Sequence, residues 1–86
     1  MSYYTVQLMP KAKKDLDGFS GKLLLRFEKT ILSLYDEPRP NNSKKLSGGG
    51  SNWRIRVGDY RILYEIDDSQ KVVKVYRIAH RREIYR

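Results

Sequence analysis

Cysteine is absent from this chain, histidine occurs once, and no apolar stretch approaches the roughly 18 residues of a membrane-spanning helix. Without thiols there is neither a disulfide framework nor thiolate catalysis, and one histidine is too few for an ordinary His/Cys zinc site. Residues 1–14 lack the basic start and apolar segment of a secretory signal, so a soluble cytoplasmic protein with no membrane partner is expected. Length is short too. A chain of 86 residues buries only about 60% of the surface that its unfolded form exposes. The expectation is a single domain over residues 1–86 with one modest core, no large cofactor cavity, no small-molecule cofactor and no metal.

Acidic residues are also scarce. Only 10 Asp+Glu stand against 18 Lys+Arg, a formal net charge of +8. A compact basic surface attracts polyanions and speeds encounter with them, and nucleic acid is the abundant intracellular polyanion. Charge alone does not distinguish DNA, RNA or the ribosome as the partner.

Periodicity divides the chain into two halves. Tyr3 to Leu8 carries residues suited to a pleated, half-buried surface and reads as a first strand. Pro10 suits the first turn of a helix in which Ala12, Leu16 and Phe19 share one face and Lys11, Lys13 and Lys14 face away; Gly18 and Gly21 interrupt it. Ser20 is placed as N-cap of a second helix, with Leu23 or Leu24, Phe27, Ile31 and Leu34 as its apolar stripe. From Glu37 to Ser51, proline, asparagine and glycine mark a loop that carries Lys44, Lys45 and Leu46.

Beyond that loop the period changes to two. Trp53 to Val57 and Tyr60 to Ile66 alternate apolar with polar residues about the turn Gly58-Asp59, the pattern of a β-hairpin, and Val72 to Ile78 supplies a further strand. The fold class expected is α+β, with an N-terminal strand and two helices packed on one face of a mostly antiparallel four-stranded sheet.

The hairpin register follows from a two-residue turn. Val57 then pairs with Tyr60, Arg56 with Arg61, Ile55 with Ile62 and Trp53 with Tyr64, which turns the apolar set toward the helices and gathers Arg54, Arg56 and Arg61 on the other face. Like charges opposite each other on a sheet destabilise it by a few tenths to about 1 kcal/mol, a cost that a bound anion would reverse. The ordinary alternative is a surface network in which Glu65 or another carboxylate neutralises the arginines. Ala79 to Arg86 adds further cations, an imidazole and Tyr85, a mix suited to RNA, where arginine takes phosphate and an aromatic ring takes an unstacked base. Tyr85 could equally be a packing anchor, His80 a histidine without a role, and the lysines solvated faces.

Lys45-Leu46 with a nearby glycine, the run from Trp53 to Ile66, and His80-Arg81-Arg82-Glu83-Ile84-Tyr85 resemble the RelE/ParE toxin superfamily of toxin–antitoxin systems, and its RelE branch in particular, over nearly the whole chain. The central motif serves both branches; the tail favours RelE. The resemblance implies a RelE-like mRNA interferase that enters the ribosomal A site and cuts mRNA without metal. The RNA 2′-OH attacks the adjacent phosphorus and leaves a 2′,3′-cyclic phosphate and a 5′-OH.

Carried over by motif, the catalytic set is Arg54, Arg56, Arg61, Arg81 and Tyr85, with Arg56 and Arg61 on the scissile phosphate, Arg81 near the leaving oxygen and Tyr85 against a base. Arg54 and Arg56 stand where the superfamily often has lysine, and arginine is a poor general base, which makes His80 a candidate proton acceptor. Arg82 could fill the role of Arg81. Lys11, Lys13, Lys14, Lys44, Lys45 and Arg82 would add phosphate contacts.

The partners implied are the ribosome with its mRNA and an acidic, RelB-like antitoxin whose amphipathic helix packs on the helices or the sheet edge. Two other readings remain: a ParE-like gyrase inhibitor without nuclease activity, and a non-catalytic RNA- or ribosome-binding module.

Overall fold

The meander expected from the C-terminal half forms the centre of a larger sheet. The computed structural model describes residues 3–46 and 50–84. In chain order the elements are β1 (Thr5–Leu8), α1 (Pro10–Asp17), α2 (Gly21–Ser33), β2 (Ser43–Lys45), β3 (Asn52–Val57), β4 (Tyr60–Asp67), β5 (Val72–His80) and the one-turn α3 (Arg81–Ile84). The sheet runs β1-β5-β4-β3-β2, with β1 parallel to β5 and the other neighbours antiparallel.

This corrects the expected four strands to a five-stranded mixed sheet with three helices. The added strand lies in the segment read as a loop. Ser43–Lys45 has no apolar residue to alternate, and its conformation comes from pairing with the open edge of β3, Lys44 opposite Arg54. Arg81 to Ile84, read as a tail, turns into α3.

Helices α1 and α2 begin as their residues dictate. Pro10 occupies the first turn of α1, where its missing N–H costs nothing. Ser20 holds the extended N-cap position of α2, although its hydroxyl makes no capping bond. The stripe of α2 is buried through Phe27, Ile31 and the following Leu34, and meets Ile55, Val57, Ile62, Tyr64, Ile66, Val73, Val75 and Ile78 from the sheet. Tyr64 is wholly enclosed and donates its hydroxyl hydrogen to the Pro38 carbonyl at 2.7 Å, which fastens the segment after α2 to the sheet. Burial pushes its phenol up to about 12.

A β-bulge keeps the core face of β5 in phase. Ile62 opposes Ile78 and Tyr64 opposes Val75, so Tyr76 is the extra residue and two core positions three apart both point inward. Beyond Val75, β5 has no strand on its outer side among the described residues, and α1 covers that edge. The Met9 amide donates to the Val75 carbonyl at 2.8 Å, and an Asp15 carboxylate oxygen accepts the Ile78 N–H at 2.9 Å.

Candidate functional site

The hairpin has the expected register: Val57 opposes Tyr60, Arg56 opposes Arg61, Ile55 opposes Ile62 and Trp53 opposes Tyr64. Gly58 adopts φ +61°, the requirement for the first central position of a type II′ turn. Ile55, Val57, Ile62 and Tyr64 are buried in the core, so Arg54, Arg56 and Arg61 fall on the opposite face by alternation. With Lys44 of β2 and the Asn41-Asn42-Ser43 turn, they line an open pocket of about 320 Å³.

Arg61 is the floor of this pocket. It is only 4% exposed, and its guanidinium donates through Nη1 to the Tyr60 carbonyl at 3.1 Å. Its pKa is pushed below the ordinary guanidinium value, first by burial and then by the fields of Arg56, Arg54 and Arg81, with Asp59 acting weakly in the opposite sense. Arginine nevertheless stays charged in proteins. Among the described residues no carboxylate oxygen lies within 4.0 Å of Arg56 or Arg61. Glu65, the neutralising candidate, stands in register with Asn52 and Lys74 instead. A buried charge beside like charges is costly unless paired, and an anion lodged in the pocket would offset that cost.

The remaining residues singled out by sequence divide. Arg81 belongs with the pocket electrostatically, since its field acts on Arg61, and its amide donates to the Asp59 carbonyl at 2.9 Å. Glu83 on the same turn accepts Nη2 of Arg77 at 3.2 Å, while Nε of Arg77 reaches Asp15 at 3.2 Å, so one guanidinium ties α3 to α1.

His80 does not join the cluster. It opposes Tyr60 in register, its ring lies edge-on to Tyr60 with centroids 5.3 Å apart, and Tyr60 packs in turn on Phe19 and Phe27 on the helix-covered face. Its Nδ1 accepts the Arg82 amide hydrogen at 3.2 Å. Lys11, Lys13 and Lys14 are on α1, which covers β5, whereas the pocket is made by β2, β3 and β4; Lys11 pairs with Asp15 at 2.9 Å. Lys45 follows Lys44 along β2 and alternates away from it, opposite Trp53, and Arg82 is exposed on α3. Tyr85 lies outside the described residues.

Asn41, Asn42 and Ser43 were not anticipated as site residues. The available signal was Pro40-Asn41-Asn42, a turn composition next to two lysines, but its proximity to the arginines depends on the pairing of β2 with β3.

A sequence profile described as "ParE toxin of type II toxin-antitoxin system, parDE" matches residues 6–85. The chain belongs to the RelE/ParE toxin family. Among its relatives, the toxin RelG of Mycobacterium tuberculosis is 32% identical over 84 residues, covering 96% of this chain and 97% of RelG. The archaeal RelE of the Pyrococcus horikoshii RelE–RelB complex superposes with a TM-score of 0.82 at 30% identity, covering 94% of this chain and 97% of that one. The toxin chain of the M. tuberculosis RelBE2 complex gives 0.79 at 30% identity, covering 91% and 98%. This RelE/ParE toxin is therefore the toxin component of a type II toxin–antitoxin system, and its structural neighbours include toxins in complex with RelB-type antitoxins. No helix among its described residues is long and apolar enough to cross a membrane.

Proposed function

We propose that this toxin is an endoribonuclease that cleaves mRNA in the ribosomal A site and so halts translation in the cytoplasm. The observation that carries the reading is the facing pair Arg56 and Arg61, without a carboxylate partner among the described residues, in a pocket that also holds Arg54 and Lys44. The RNA supplies the nucleophile: its 2′-OH attacks the adjacent phosphorus, the bond to the 5′-oxygen breaks, and the products are a 2′,3′-cyclic phosphate and a 5′-OH. The protein then has to align the phosphate and stabilise the charge that builds on its oxygens. Arg61, buried and fixed by the Tyr60 carbonyl, needs little reorganisation to do so; one preorganised donor of this kind contributes about 10²–10³ in rate. Arg81 approaches from the tail to meet the leaving oxygen, and Tyr85 supports a base. The ring of His80 faces Tyr60 and its Nδ1 is engaged, so the proton of the 2′-OH leaves to water or to a phosphate oxygen. Cations of the side chains fill the role that a divalent metal fills in other nucleases, and the cyclic-phosphate end is the mark of that metal-free route.

The same reading gives the toxin an acidic, RelB-like antitoxin. The groove between α1 and α2, floored by Leu8, Leu16, Phe19 and Leu24, and the exposed Leu25 and Leu32 of α2 suit the apolar face of an amphipathic helix. Controlled expression in cells tests the function: transcripts should shorten within minutes, and Arg61→Ala should restore both mRNA and growth. Intact mRNA with loss of DNA supercoiling would overturn the nuclease in favour of a ParE-like gyrase inhibitor. Salt-sensitive ribosome binding without cleavage would leave a binding module.

A further inference from the structure

Four cations suffice to hold a phosphate, yet one wall of the arginine pocket is made of amides. Pro40, Asn41, Asn42 and Ser43 form a tight turn in which the Ser43 amide donates to the Pro40 carbonyl at 2.9 Å and the Ser43 hydroxyl donates to the same oxygen at 2.7 Å. Asn41 and Asn42 take the two corner positions, and both side chains are exposed at the pocket. Asn42 leans on the next strand, its Nδ2 donating to the Arg56 carbonyl at 3.4 Å, which leaves its Oδ1 and second N–H for a ligand. The Asn41 amide has no hydrogen-bond partner among the described residues. The following residues pair with β3, so the turn is fixed relative to Arg54 and Arg56.

We infer that Asn41 and Asn42 read the base of the nucleotide whose phosphate lies between Arg56 and Arg61, making this turn the part of the pocket that selects sequence. The inference rests on the phosphate-binding role proposed above. A carboxamide presents a donor and an acceptor side by side, the complement of a nucleobase edge, and an unstacked single strand offers such edges. Guanidiniums and ammoniums only donate, so Arg54, Arg56, Arg61 and Lys44 hold any phosphate equally well. Donors alone can favour guanine, whose O6 and N7 both accept, but reading the amino group of adenine or cytosine needs an acceptor beside a donor, and the two amides supply both.

Binding of 2′-O-methyl trinucleotides, whose blocked nucleophile prevents cleavage, tests this directly. Five probes are compared by titration of backbone amide resonances: four with a different central base and one abasic at that position. The expected result is a preference among central bases on the order of tenfold, in line with one good base contact. In Asn41→Ala and Asn42→Ala that preference should fall to about twofold or less, while the abasic probe still binds and unchanged amide resonances in β3 and β4 show that the pocket is still folded. Equal affinity of wild type for all five probes, or a base preference that survives both substitutions, overturns the inference and leaves the phosphate site standing. Absence of binding by every probe, the abasic one included, overturns the phosphate role and the base-reading role together.

Discussion

Arg56 on β3 and Arg61 on β4 stand directly opposite each other, like charges with no carboxylate within 4.0 Å of either among the described residues. Such a pairing weakens the hairpin, so stability and function should respond to it with opposite signs. Arg56→Gln is expected to raise the unfolding free energy in urea by a few tenths to about 1 kcal/mol, more at low salt. It should also slow RNA cleavage by about 10²-fold. A variant that lost stability as well as activity would show that the pair is neutralised in solution.

Arg77 joins the helix that covers the sheet edge to the turn that carries Arg81. Its contact with Glu83 lies at the surface, where an ion pair is worth roughly 0–1 kcal/mol. Glu83→Gln should therefore leave global unfolding nearly unchanged while faster hydrogen exchange appears at residues 81–84 and cleavage slows. Unaltered exchange in the tail would remove this contact from the positioning of Arg81.

His80 accepts the Arg82 amide through Nδ1 at the start of the same turn. If the imidazole positions α3 and moves no proton, His80→Asn, whose carboxamide oxygen can accept the same bond, should keep most of the activity, and His80→Ala should lose several-fold. The pH profile of cleavage should be the same in wild type and His80→Asn. Abolition of activity in both variants would instead make His80 the proton acceptor.

Asp15 gives the fold an acid limit. Burial raises its pKa, but hydrogen bonds from the Ile78 amide, Lys11 and Arg77 outweigh that and hold the carboxyl below its ordinary value. A carboxylate depressed in the folded state contributes stability above its unfolded pKa of about 3.9 and loses it as pH falls through the lower, folded value. Asp15→Asn should cost about 1–3 kcal/mol at pH 7, and the gap between variant and wild type should narrow as pH falls below about 4. A gap independent of pH would mean that shape, not charge, matters at this position.

What the sequence discloses depends on how local its causes are. Ile55, Val57, Ile62 and Tyr64 alternate about Gly58, so the hairpin, its register and the sidedness of the arginines could be read before any coordinates. The partner of β1 could not, because Thr5 pairs with Val72 far along the chain and neither segment encodes the other. Strand β2 was illegible for a different reason: Ser43, Lys44 and Lys45 have no strand pattern of their own and take their conformation from the edge of β3. The amide wall followed β2 into obscurity, since Asn41 and Asn42 reach the arginines only through that pairing. His80, adjacent to arginines in sequence, is turned by the period of β5 toward Tyr60 and the helices.

The most direct test of the arginine pocket as a nuclease site is the cleavage rate on ribosomes programmed with a defined mRNA, with analysis of the new RNA ends. Wild-type toxin should produce a 2′,3′-cyclic phosphate and a 5′-OH, and Arg61→Ala should be slower by about 10²–10³. An unbroken message with wild type, or cleavage by Arg61→Ala at the wild-type rate, would contradict it.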